Sequence, residues 1–211
     1  MRNTSPVLLA VVAVGLGHLA GAEVIDRVLA VVNSQVVTLS DVRAAQTFSL
    51  VPATTPAETT NDVLAYLVTR QLMLSEVDRY SAPAPASALL DRRMAQIRST
   101  FPGAAQYEQA LAGTAMTEGR LRNVIADNVR IETYVDQRFG AAAQPTSEEV
   151  QRYYLEHPAV FTRDGRLAPF DDVQVQAQER LAAERRRALI TDWLDRLRRR
   201  ASVTTLLTPG R

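Results

Sequence analysis

The stretch Val24–Asp41, VIDRVLAVVNSQVVTLSD, decides the fold. Two β-branched runs, Val24–Val32 and Val36–Thr38, flank the polar trio Asn33-Ser34-Gln35. A helix start follows at once, with Thr38 or Ser40 as the cap and Asp41 three residues after Thr38. That order reads as strand, turn, strand, helix. Nearly everything downstream reads as helix. A strand set against helices must find partners for its backbone N–H and C=O groups. The one local source is the far end of the chain, Ser202–Leu207, SVTTLL. The two chain ends are therefore expected to pair.

Composition narrows the class. The 211 residues are 46% hydrophobic but only 6% aromatic, so the core must be mainly Leu, Val and Ala. All 24 basic residues are Arg and the net charge is +1, which argues for no nucleic-acid partner. There is no Cys, which excludes disulfides, thiolate metal sites, cysteine nucleophiles and a lipid-modified N-terminal cysteine. Residues 1–22 read as a secretion signal. Arg2 is the charged start, Val7–Leu19 the apolar run, and Ala20-Gly21-Ala22 a small-x-small cleavage site. The apolar run is short for a membrane span. Cleavage after Ala22 would leave His157 as the one histidine.

Outward from the opening stretch, the helices follow in order. The first runs to about Leu50, and Val51–Pro56 is a Thr/Pro/Ala loop. Glu58–Tyr80 is apolar over more than one stripe, which marks a central helix. Helices at Ala86–Thr100 and Ala104–Ala112 follow, with Gly113 placed as a helix stop. Thr117 caps a long helix to Phe139, whose stripe Asn128 interrupts, and a side chain bonded to a neighbouring helix accounts for that residue. Thr146-Ser147-Glu148-Glu149 is a capping box for a short helix ended by Pro158. Seven residues, Thr162–Ala168, lead to the last helix, Pro169 to about Arg200.

Few residues carry chemistry. His157 has no second histidine or cysteine to share a zinc ion with, and no Gly-rich phosphate loop or Ser-His-Asp set can be drawn. No catalytic residue, metal or cofactor is expected. Glu148-Glu149 and Asp171-Asp172 sit at helix starts, where the helix dipole explains them. The last helix carries Arg180, Arg185, Arg186, Arg187, Arg196, Arg198, Arg199 and Arg200, with Glu179, Glu184, Asp192 and Asp195 between them. Contact with anionic lipid is one reading. The alternating signs favour a solvated face that complements the helix C-terminus. Met73, Met94 and Met116 read as core filling unless an open groove exposes them.

With these residues laid out, the chain resembles the SurA-type periplasmic chaperones and the wider parvulin-associated folding factors. VIDRVLAVVNSQVVTLSDV (24–42) is similar to that family's entry motif V-D-R-V-x-A-V-V-N-x-x-V-I-T-x-S-D-L. LAYLVTRQLMLSEVDRY (64–80), TEGRLRNVIADNVRIETYVDQRF (117–139), PTSEEVQRYYLEHPAVF (145–161) and the closing helix 168–203 follow in the family's order. The turn lacks the Gly of some relatives. In that family a prolyl isomerase domain follows the YY…F segment. Here 162–168 is far shorter than the ~50 residues a folded domain needs. The isomerase domain is therefore expected to be absent, and the chain not to be an enzyme.

The resemblance implies a mainly α fold, one domain over 23–207, with a small antiparallel sheet pairing its N- and C-terminal strands. Its N-terminal part would be 23–161, and its closing helix and strand 169–207. It implies periplasmic, chaperone-like binding of unfolded or extended polypeptides, in outer-membrane protein folding. Client side chains would enter a groove between helices, and client backbone would pair with exposed strand edges. The groove candidates are Phe48, Met94, Phe101, Tyr107 and Met116, on the short helices and breaks. The alternatives are a prolyl isomerase and a non-chaperone envelope assembly subunit with one fixed partner.

Overall fold

The computed structural model describes residues 26–53, 55 and 58–206. The expected secretion signal, the first residues of the opening strand and Leu207 lie outside them. Two strands, β1 (Val28–Val32) and β2 (Gln35–Thr38), precede six helices. These are α1 (Leu39–Thr47), α2 (Thr60–Arg79), α3 (Ser87–Ser99), α4 (Ala104–Gly113), α5 (Glu118–Phe139) and α6 (Ser147–Glu156). A 3-10 turn at Pro158–Phe161 leads into a hairpin of β3 (Thr162–Arg163) and β4 (Arg166–Leu167). The 31-residue α7 (Phe170–Arg200) and β5 (Val203–Thr205) close the chain. The fold is mainly α with a small antiparallel sheet that joins the chain ends, as the opening stretch requires.

That sheet has the order β2-β1-β5. Ala30 faces Thr205, Val31 faces Thr204 and Val32 faces Val203, all antiparallel. The opening turn is tighter than the polar trio suggests. Gln35 belongs to β2, and only Asn33 and Ser34 turn the chain, at φ 48° and 80°. Positive φ at both central residues fits a two-residue hairpin, and Asn is the side chain that tolerates it best. Thr38 then caps α1. Its Oγ1 accepts from the Asp41 backbone N–H, and the Asp41 carboxylate accepts from the Thr38 N–H at 2.9 Å.

Four apolar clusters are strung along three long helices. α2 packs on α1, α5, α7 and both opening strands, which is the central position its composition calls for. Its first turns bury Val63 and Leu64 against Leu29, Ala30 and Val37 of the sheet. Its last turns bury Leu72 and Val77 around Trp193 of α7, with Tyr134 and Phe139 of α5. The first half of α5 buries Leu121, Ile125 and Val129 in a separate lobe with α3 and α4. The fourth cluster joins α6 to the start of α7 through Tyr153, Tyr154, Phe161 and Val173. Full burial of one such apolar side chain contributes about 1.5–3 kcal/mol, so each cluster outweighs any single surface ion pair.

One expected helix stop moves. Gly113 lies inside α4, and the chain turns two residues later at Ala115, φ 51°. Three helices end alike without glycine. After α1, Leu50 N–H reaches back to Ala45 O at 2.8 Å, past Ser49 at φ 50°. After α2, Ala82 N–H reaches Val77 O at 3.4 Å past Ser81 at φ 49°. After α4, Met116 N–H reaches Leu111 O at 2.9 Å past Ala115. These are Schellman ends, in which an apolar residue after the cap folds back on the helix. Among the described residues, no helix is long and apolar enough to cross a membrane.

Candidate functional site

All five groove candidates come together, but as a closed core. Phe48, Met94, Tyr107 and Met116 are buried at 2%, 3%, 6% and 6% exposure, and Phe101 is half-buried against them. Ring centroids of Phe48, Phe101 and Tyr107 lie 5.5–6.2 Å apart in edge-on and tilted contacts. The apolar stripe of α5 covers this group, so the short helices that carry it pack inward, and of the five only Met116 borders a cavity among the described residues. Met116 is there because the Schellman end of α4 turns it inward.

The open groove lies beside that lobe. A cavity of about 410 Å³ runs between the α1–α2 connection, α2, α3 and α5. Leu50, Val51, Met73, Ile97 and Ile125 give it apolar walls, and the Arg93–Glu132 pair at 3.3 Å stands at its rim. Its polar centre is Tyr66, Arg70 and Asn128.

Arg70 is a charged residue on an otherwise central helix, with its side chain only 11% exposed. Its Nε donates to Asn128 Oδ1 at 2.5 Å and its Nη2 to the Val124 carbonyl at 3.1 Å, while Asp127 lies 3.5 Å away. A buried guanidinium needs such partners. The break in the α5 stripe at Asn128 therefore serves α2. Four residues earlier on α2, Tyr66 donates to the Leu50 carbonyl at 3.3 Å. Burial pushes the Tyr66 phenol above its ordinary pKa, Arg70 opposes this, and Glu132 adds to it. Tyr66 therefore stays a neutral donor through the physiological range.

A second cavity of about 150 Å³, bordered by Val36, Met116 and Arg120, shares Leu50, Tyr66, Arg70 and Asn128 as a common wall. The Tyr66 proton and the Arg70 Nε–H are held internally, so the arrangement offers apolar surface on either side of the remaining N–H groups of Arg70 Nη1 and the Asn128 amide, which make no hydrogen bond among the described residues. That suits an extended chain, whose side chains need apolar contact and whose carbonyls need donors. The signal was present in the sequence as a Tyr and an Arg four apart on an apolar helix, and as Asn128 on α5.

The remaining singled-out residues have structural places. His157 caps α6: its Nδ1 lies 2.9 Å from the Tyr153 carbonyl oxygen, and its ring stacks on Tyr153 at 4.2 Å. Glu149 closes the capping box on Thr146 and also grips Arg185 of α7 through two bonds of 2.6 and 2.8 Å. The Arg185 contact first, then the Thr146 N–H, hold the Glu149 carboxyl down at about 2. On α7, Arg185, Arg186, Arg196, Arg198 and Arg200 each face an acid: Glu149, Asp136, Asp192, Asp195 and Glu76. Among the described residues there is no group of three or more His, Cys, Asp or Glu able to hold a metal ion.

No protein-family model matches the sequence, and no curated protein does. Among solved structures, the chain is similar to one described as "The virulence factor PEB4 and the periplasmic protein Cj1289 are two structurally related SurA-like chaperones in the human pathogen Campylobacter jejuni". The TM-score is 0.56 at 11% identity, over 86% of this chain and 100% of that one. The chain thus shares a SurA-like fold.

Proposed function

We propose that this protein is a periplasmic chaperone-like binder of unfolded or extended polypeptides, acting in outer-membrane protein folding and without isomerase catalysis. The observation that carries the reading is the open groove centred on Tyr66, Arg70 and Asn128, about 410 Å³, inside a SurA-like fold. Client aliphatic and aromatic side chains lie against Leu50, Met73 and Ile97. Client carbonyls meet the remaining N–H groups of Arg70 and Asn128. Affinity is adaptable because the contacts are mostly apolar and non-directional. The Arg93–Glu132 rim is exposed and contributes little by itself.

The test is aggregation of a urea-unfolded outer-membrane β-barrel diluted into buffer with the purified protein. Wild type slows aggregation and crosslinks to the barrel. Gln96 lines the groove and is exposed, so Gln96→Trp narrows it without touching the core and lowers the protection at unchanged thermal stability. Absence of both protection and crosslinks from the wild type sinks the reading. A parallel proline-isomerisation assay on a tetrapeptide shows no acceleration.

A further inference from the structure

We propose that the open edge of β5, at Val203 and Thr205, accepts an extended polypeptide as a fourth strand of the sheet. This deepens the polypeptide-binding reading and rests on it, while adding a second site away from the groove.

The register fixes which backbone groups are free. β5 lies at one edge of the sheet, with β1 on its inner side. Asn33 N–H donates to Ser202 O at 2.9 Å, and Leu206 N–H to Leu29 O at 2.8 Å. In an antiparallel ladder, the residues that bond inward alternate with those that do not. Ser202, Thr204 and Leu206 therefore bond to β1. Val203 and Thr205 turn their N–H and C=O groups away from β1, to a side on which no strand pairs with them among the described residues. All three β5 residues are exposed, and so are Val203 and Leu206 as apolar side chains, at 39% and 51%. Within β5 there is no charged residue, no Pro and no bulge to guard this edge, and its shortness, three residues, limits the added pairing to Val203 and Thr205.

A cavity of about 380 Å³ opens beside this edge. Leu64, Ala65 and Val68 of α2 form its apolar side, and Arg198 and Thr205 close it. An added strand lies about 4.8 Å from β5. One of its side chains then faces the α2 wall while its backbone pairs with Val203 and Thr205. The occupant this fits is an extended chain with an apolar side chain at alternate positions. The opposite edge is poorer: Thr38 N–H is already held by Asp41.

The edge can be blocked without opening the clasp, because the N–H groups of Val203 and Thr205 take no part in the β1 ladder. Proline is tolerated at an edge position whose N–H faces solvent. Binding of a fluorescein-labelled decapeptide of alternating valine and threonine to the full chain is read by anisotropy. Wild type binds it. Thr205→Pro and Val203→Pro each weaken binding about fivefold, the effect of one lost hydrogen bond. Both keep the wild-type melting temperature, whereas Thr204→Pro, which removes an inward N–H, lowers it. The same peptide N-methylated at alternate amides binds wild type more weakly; this arm stands even if a proline variant fails to fold.

Equal binding by wild type and both proline variants, or by plain and methylated peptide, overturns the proposal. If Gln96→Trp alone abolishes peptide binding, the edge proposal fails and the groove reading stands. If wild type binds no peptide and protects no barrel, both fail. A wild-type dimer that Thr205→Pro dissociates identifies the occupant as a second copy and overturns the proposal.

Discussion

Asn33 and Ser202 are joined by a reciprocal pair of hydrogen bonds. The Asn33 N–H donates to the Ser202 carbonyl at 2.9 Å, and the Asn33 Oδ1 accepts from the Ser202 N–H at 3.0 Å. Asn33 thus forms half of the opening turn and also fastens the far end of the chain to it. Asn33→Gly keeps the positive φ but loses the side-chain acceptor, and costs about 1 kcal/mol. Asn33→Ala loses both and costs about 2 kcal/mol. Removing residues 202–211 strips β1 of its second partner and costs at least as much, a drop of roughly 4–8 °C in Tm. Thermal melts of the three variants give this order; unchanged melting after the truncation would mean that the sheet stands without β5.

Asn128 stabilises the fold through Arg70. Asn128→Leu leaves the Arg70 Nε buried without its acceptor and costs about 2 kcal/mol. Asn128→Asp keeps an acceptor and restores most of it. Arg70→Met combined with Asn128→Leu costs less than the sum of the two single changes. Urea unfolding of the four proteins closes this cycle.

Glu149 ties α6 to α7 and sets an acid limit on that contact. Its carboxyl, ordinarily near 4.5, is held at about 2 by Arg185 and the Thr146 N–H. A depressed pKa means the unfolded chain binds the proton first as pH falls. The stability from this contact is therefore complete above about pH 4.5 and disappears as pH falls toward 2. Glu149→Gln melts below wild type at pH 7, and the gap narrows through that window. The pair is half-buried and still reached by solvent, so the gap is modest. A gap that is constant from pH 7 to pH 2 would contradict the Arg185 cause.

The end of α4 places glycine and alanine against their preferences. Nothing lies within 4 Å of a side chain added at Gly113, while Ala115 sits at φ 51°. Gly113→Ala stabilises by about 0.5–1 kcal/mol by restricting the unfolded chain and favouring the helix. Ala115→Gly relieves the left-handed conformation and gains up to about 1 kcal/mol. The sites are two residues apart and independent in mechanism, so the double variant shows both gains in urea unfolding.

These ends explain where the sequence was legible. The hairpin, the clasp with β5, the central α2 and the capping boxes at Thr38 and Thr146 all depend on local signals: β-branched runs, continuous apolarity, and Thr with an acid three residues on. The cap of α2, Thr59 with Asp62, has the same signature and sits beside a Thr-rich loop that obscures it. The end of α2 at Tyr80 was legible, but the stop of α4 was assigned to Gly113 because Ala115 does a task that composition assigns to glycine. The binding surface was harder. Aromatic residues on short helices look exposed until the stripe of α5 is laid over them, and no local pattern reveals that distance-dependent cover. Arg70 and Asn128, 58 positions apart, form the groove's centre only once α2 and α5 are packed.

The β3–β4 hairpin has one more consequence. Thr162 faces Leu167 and Arg163 faces Arg166, with Asp164 and Gly165 alone turning the chain at φ 50° and 75°. Beneath them Ala168 N–H donates to Phe161 O at 3.0 Å, and Tyr154 OH anchors the Ala168 carbonyl at 2.7 Å. Departure and return are thus pinned side by side before the tip begins. Lengthening such a tip adds loop-closure cost only slowly with each residue. The tip is a graft point: cargo spliced between Asp164 and Gly165 would leave the helical frame, its clasp and its groove as they are.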